Sequence, residues 1–222
     1  MPNVNEKTLE LNITHELLSL VHRFDRHAFA FGTTLTHEGH LGFDSRILSA
    51  LPGLWQSGVL QYKRPYEMRH DQGHWTYCFK INNNRHHDQH HMFLHFSAGQ
   101  PNTAFYVFPA FVDLTELEHY ATRLLMRTYF ADATDIPTIH VGAQEHYVEV
   151  LPHRLLAIVH SEEATVKMRL FESLLPLVQE RKFGLPIKSL LGNARRKVPA
   201  AIRTKRARFH FMALPGPSNI HG

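Results

Sequence analysis

Residues 58–65 read GVLQYKRP, and the reading of this stretch decides the fold. A short apolar segment, Gly58-Val59-Leu60, runs into Gln61, Tyr62, Lys63 and Arg64 and stops at Pro65. It reads as a strand. Alternation along a strand places Gln61 and Lys63 on one face and turns Tyr62 into the packing on the other. An amide and an ammonium on one face call for polar partners. The sequence EGHLGFD, residues 38–44, offers them: Glu38 stands six residues before Asp44, and Asp44 lies in a second expected strand, 42–48. Pro52-Gly53 marks a turn between the two segments. If they pair as a hairpin, Asp44 comes to lie beside Gln61 and Lys63.

Outward from that hairpin, the chain alternates between the two hydrophobic periods. Leu17, Leu18, Leu20, Val21 and Phe24 predict a helix over 13–25. Residues 27–32 suit a short strand, and HWTYCFKI, 74–81, a longer one rich in aromatic and β-branched residues. NNNRHHDQHHMFLHF, 82–96, starts as a turn and continues as a short helix. TAFYVFPAF, 103–111, is a buried strand ended by Pro109. Thr115 and Glu118 have the spacing of a capping box for a helix reaching about Phe130. Residues 145–151 suit a further strand, and Ser161 opens a long helix interrupted near Pro176. Helix, strands, helix and strand in this order imply an α/β domain built on one sheet, spanning 1–182. Residues 183–222 form a basic helical extension, partly disordered after the pattern fades.

The composition is that of a globular chain: 222 residues, 43% hydrophobic and 20% charged. The single cysteine, Cys78, rules out an internal disulfide and sits among aromatics as a core residue. The N-terminus lacks the apolar region of a signal peptide, and no apolar run approaches the ~20 residues of a membrane span. A cytoplasmic protein without a membrane partner is expected. The net charge of +4 is uneven. From Arg181 onward there are ten Lys/Arg and no acid, which leaves 14 basic residues against all 20 acids, about −6, in residues 1–180. A basic tail on an acidic body is a footprint for a polyanion. Arg195, Arg196, Lys197, Arg203, Lys205, Arg206 and Arg208, with Arg64 beside the hairpin, are the expected contacts to nucleic acid.

The motif "GFD…LQYK", with Glu38 before it, resembles the PD-(D/E)xK, or restriction-endonuclease-like, nucleases. Glutamine at the second acidic position is similar to the Mrr-type restriction enzymes. The resemblance covers residues 30–110 and implies an αβββαβ core with a mixed central sheet flanked by helices. It implies an endonuclease cutting DNA with Mg²⁺ or Mn²⁺, in restriction or antiviral defence, as a homodimer or a subunit of a multi-protein system. The residue chemistry is consistent with that. Phosphodiester hydrolysis needs a cation to neutralise developing charge and activate water. Mg²⁺ takes oxygen ligands, which Asp44, Glu38 and the Gln61 amide would supply. Lys63 would orient or deprotonate the water. Glu16, on the clearer helix, is the rival to Glu38, and Gln89 and His90 would assist from the helix after the third strand.

Three other readings stay open. Asp44 and Lys63 could be a surface ion pair worth at most about 1 kcal/mol. The same fold could bind nucleic acid or serve an assembly with little catalysis. His86, His87, His90, His91 and His95 could gather zinc, since positions 87, 91 and 95 form one helical stripe. Phosphate-cradling glycine loops and nucleophile elbows are missing from the sequence.

Overall fold

The computed structural model describes residues 4–32, 44–51, 54–71, 73–81, 88–97, 99–137, 139, 145–180 and 183–186. Helix α1 spans Glu6–Val21. The Asn5 side chain accepts from Thr8 N at 2.7 Å and caps it. The helix therefore starts a full two turns before the 13–25 predicted from its apolar residues. Leu9, Ile13, Leu17 and Val21 recur every four residues and are all buried.

Strands β1 (Phe29–Gly32), β2 (Ser45–Leu51) and β3 (Leu54–Tyr62) follow as an antiparallel meander. Two strands then form a hairpin, β4 (Pro65–Asp71) and β5 (His74–Ile81). Helix α2 (Gln89–Ser97) leads to β6 (Ala104–Pro109), which lies parallel to β3. After helix α3 (Leu114–His119), β7 (Thr128–Asp132) pairs antiparallel with β6. The order of the first sheet is β1-β2-β3-β6-β7. The second sheet is antiparallel, with β4 and β5 joined to β8 (His146–Leu151), β9 (Leu156–Val159) and β10 (Ala164–Lys167). Strand β11 (Leu185–Pro186) returns to the first sheet and pairs with β3 at Ser57 and Gln56. The chain is thus of α/β class, with a mixed sheet, an antiparallel sheet and a few helices.

Strand alternation sorts the core into two layers. Leu60 and Tyr62 of β3 and Phe105 and Val107 of β6 pack under α1. Val59 of β3 and Ala104, Tyr106 and Phe108 of β6 face β5, β8 and α2. β6 is buried on both faces, which explains its unbroken apolar run.

Five expectations give way here, the first being the single sheet, since β4, β5, β8, β9 and β10 form a second one. Pro65 ends β3 but does not end extended structure. Having no N–H, it suits the first position of an edge strand, and β4 starts on it in the other sheet. The helix expected from Thr115 stops at His119; Asp113 caps it by accepting from Glu116 N, and Glu116 Oε2 accepts from Val112 N. Residues 128–132, TYFAD, are buried throughout and complete the sheet. The long helix expected from Ser161 is absent from this segment. A 3₁₀ turn at His160–Glu162 and the left-handed Glu163 (φ 49°) reverse the chain into the β9–β10 hairpin. Residues 164–167 pair along their whole length with β9, so a sheet edge outweighs helix propensity there. Phe183–Pro186, at the head of the expected extension, pack on β3 and Phe105.

Candidate functional site

The site lies where β3 leaves the first sheet. Tyr62 is the last residue of the strand, and Lys63 still holds sheet geometry by donating its N–H to Val107 O at 3.0 Å. On the other side, Asp44 N donates to Leu60 O at 3.0 Å, and Ser45 stands opposite Leu60. Asp44 and Gln61 are therefore neighbours across the ladder and share the face turned toward the second sheet. The Gln61 amide nitrogen donates to both Asp44 oxygens, at 3.0 and 2.9 Å. Tyr62 N donates to Asp44 Oδ2 at 2.5 Å. All of this is dry: Asp44 is 3% exposed, Gln61 0% and Lys63 4%.

The sequence places Lys63 two residues beyond Gln61, and α2 meets it there. Lys63 Nζ donates to Gln89 Oε1 at 2.8 Å. The next residue of α2, His90, is fully buried, and its Nδ1 is 2.9 Å from the Tyr106 hydroxyl. Tyr106 stands opposite Gln61 in the parallel β3–β6 register, so the phenol forms the floor beside Gln61. Burial, reinforced by the Asp44 charge, keeps this phenol protonated far above its ordinary range. Burial, then the neighbouring imidazole of His91, pushes His90 down to about 4.

Of the residues singled out in the sequence, the structure pairs Asp44 with Gln61 and Lys63 with Gln89, and sets His90 against Tyr106 beside Gln61. Glu16 goes elsewhere: its carboxylate accepts from the N–H groups of Leu124 (2.7 Å) and Leu125 (3.4 Å), capping a 3₁₀ turn. Arg64 is exposed, and its N–H donates to Glu6 at 3.1 Å. Glu38, His86, His87 and the basic residues 195–208 lie outside the described residues. Of the zinc stripe, His91 pairs with Asp88 at 2.8 Å and His95 is exposed. Among the described residues no three His, Cys, Asp or Glu side chains gather in a way that would hold a metal.

Three further residues belong to this neighbourhood. Tyr106 could have been found from the alternation of β6, which puts its hydroxyl on the polar face of β3. His146 opens β8 opposite Ile81, is 5% exposed, and interacts electrostatically with His90. Neither of its ring nitrogens has a hydrogen-bond partner among the described residues. No local sequence signal marks it. Glu10 of α1 is buried on the other face of the sheet and accepts from Ser45 Oγ at 2.5 Å.

No protein-family model matches the chain, and neither does any curated protein or solved structure. The chemistry of the site therefore rests on its own donors. Asp44 and Gln61 carry oxygens of the kind a small divalent cation takes. The Gln61 Oε1 atom is buried without a partner among the described residues, a state that costs about 1–3 kcal/mol. A half-turn of the amide exchanges its oxygen and nitrogen with little displacement of either. The 2.9–3.0 Å contacts between the Gln61 amide and the Asp44 carboxylate match the roughly 3 Å edge of an oxygen octahedron with bonds of about 2.1 Å. With nitrogen toward Asp44 the carboxylate is satisfied and the amide oxygen is left over. With oxygen toward Asp44 the pair requires a cation.

Proposed function

We propose that the protein is a metal-dependent endonuclease that hydrolyses phosphodiester bonds in DNA, on a core of the PD-(D/E)xK kind. The observation that carries this is the buried Asp44–Gln61 pair at the end of β3, with Lys63 buried two residues further on and hydrogen-bonded to Gln89. The element order supports it: α1, β1, β2, β3, α2 and β6 follow the αβββαβ succession, with the β4–β5 hairpin inserted before α2.

Asp44 and the Gln61 amide oxygen would hold Mg²⁺ or Mn²⁺. The bound cation would supply charge neutralisation at the phosphate and polarisation of a water. Lys63 contributes the local positive charge. Its ammonium has three N–H groups, and Gln89 takes one of them. The other two would fix the attacking water and a phosphate oxygen. Gln89 sets where Nζ stands, and the His90–Tyr106 pair beneath it stays neutral, so neither competes with Lys63 as a second charge. Gln61 in place of a carboxylate lowers the negative charge of the site by one, so a cation would bind more weakly and would need the substrate phosphate to hold it. A second reading, a nucleic-acid-binding subunit with little catalysis, is favoured by one observation: Gln61 satisfies Asp44 without any ion.

Supercoiled plasmid incubated with the protein and Mg²⁺ or Mn²⁺ tests the proposal. Nicking is expected, with a drop of about 100-fold or more in Lys63→Ala, on the order of one catalytic electrostatic interaction. Equal behaviour of wild type and Lys63→Ala sinks it. Salt-dependent DNA binding without cleavage by either protein selects the second reading.

A further inference from the structure

Far from the candidate site, the second sheet ends in a pocket of about 260 Å³ between the β4–β5 turn and the 3₁₀ turn Pro152–Arg154. Gly73, with φ 83°, makes the turn and leaves open space where a Cβ would stand. Two planar walls flank the opening. The His74 and His153 rings stack at 4.0 Å with 11° between their planes. Trp75 is 50% exposed and is held edge-on by His70 at 4.8 Å. The back is rigid: Arg127 donates to the Tyr77 hydroxyl and lies 4.9 Å over the Tyr120 ring. Among the described residues no carboxylate lines the pocket.

We propose that this pocket takes one unpaired base of a nucleic-acid strand, stacked on Trp75 and the His74–His153 pair with Arg127 as the cationic wall. The inference rests on the reading that the protein acts on nucleic acid. The walls are flat, aromatic and sequence-neutral, the usual means of holding a single strand. The volume is close to the lower end of small-molecule sites and suits a nucleoside. A half-exposed indole beside the Arg127 guanidinium, whose charge is shared with Glu116 at 3.4 Å, complements a base attached to a phosphate. Placement agrees as well. Trp75 and Ile81 are six residues apart on β5, roughly 20 Å at ~3.3 Å per residue, and Ile81 stands opposite His146. That span is within the reach of a short single strand, so one strand can meet both the β5–β8 end near His146 and the pocket.

The test is fluorescence anisotropy of the full chain with a fluorescein-labelled 12-mer oligothymidylate and a blunt 12-base-pair duplex, in EDTA so that nothing is cut. Trp75→Ala and His153→Ala are each expected to weaken oligothymidylate binding about tenfold, within the range of one missing stack, and to leave duplex binding within twofold. Trp75→Phe keeps the stack and should remain within a few-fold of wild type. Melting curves establish that each variant is folded. Since Trp75 and His153 stand on different turns, one misfolded variant leaves the other to decide. Oligothymidylate affinity unchanged in both alanine variants, or weakened equally for duplex, overturns the proposal. So does free thymidine monophosphate binding as tightly as the 12-mer, which would make this a small-molecule site. Plasmid nicking measured in parallel separates the two readings. Nicking without Trp75-dependent binding removes the pocket and keeps the nuclease. Trp75-dependent binding without nicking does the reverse.

Discussion

Gln61 is the residue on which the chemistry turns, because its neutral amide is set against both oxygens of the buried Asp44 carboxylate. Replacing it with glutamate would put two carboxylates about 3 Å apart in a site sealed from water. Without a cation, like charges at that range oppose each other and at least one carboxyl is driven to protonate. Gln61→Glu is therefore expected to destabilise the fold in EDTA by about 1–3 kcal/mol, the range for a buried charge conflict. With Mg²⁺ the variant should regain more stability than wild type does. Melting curves across a Mg²⁺ titration read both. An equal Mg²⁺ response in the two proteins would remove Gln61 from the cation site.

His90 gives a second prediction at this scale. Its imidazole is fully buried against Tyr106, with His91 on its own helix and His146 on β8 as titratable neighbours. Burial and the two imidazoles outweigh a raising contribution from the Pro137 carbonyl and bring it from 6.5 to about 4. Between these values the unfolded chain binds a proton that the folded chain refuses. The stabilising effect is thus complete above pH 6.5 and is lost as pH falls toward about 4. His90→Phe should flatten the fall in melting temperature over this window relative to wild type. Parallel slopes would show that His90 does not titrate with folding.

Among elements, β3 is the one that everything touches. It pairs with β2, β6 and β11 and carries Gln61 at its end. Gly58 in its centre is there for space. A Cβ at this position would stand 2.3 Å from Phe183 Cε1, and Phe183 in turn stacks on Phe105 at 5.3 Å. Gly58→Ala is expected to cost about 1–3 kcal/mol by overpacking. In a Phe183→Ala background the same change should cost less, a coupling that a double-mutant cycle in urea measures. Additive effects would mean that the chain shifts freely at Gly58.

The same scale explains which elements are legible in the sequence. β5 and β8 are visible because buried aromatic and branched residues recur along them, and β3 because its polar end breaks the apolar run. Residues 128–130 and 164–167 read locally as helix because acids and a capping residue precede them. Their strand conformation comes from pairing with β6 and β9, residues distant in sequence or across a left-handed turn. Local propensity carries no information about such partners.

At the scale of the whole molecule, charge is divided as sharply as structure. Residues 195–208 hold seven Lys/Arg with no acid, while the acids belong to the first 180 residues. If this segment neutralises phosphates, its removal should reduce the slope of log affinity against log salt by about 0.9 for each duplex phosphate no longer neutralised. The described core should melt within a few degrees of the full chain, since β11 and Phe183 lie before the cut. DNA binding titrated at increasing salt checks this. An unchanged slope would place the phosphate-binding residues on the body.

By itself the sequence determined the α/β class, the polar face of β3 and the pairing of Asp44 with Gln61, because each follows from short-range period and spacing. The sequence also pointed to Gln89 and His90, but tertiary structure alone decided that the chain crosses to a second sheet at Pro65, which partners those two residues take, and that Tyr106 and His146 close the site from below. Those residues come from α2, β6 and β8, up to 85 positions from Gln61 in sequence. Only the packing of two sheets, which buries the apolar face of each at the cost of enclosing the polar end of β3, brings them there.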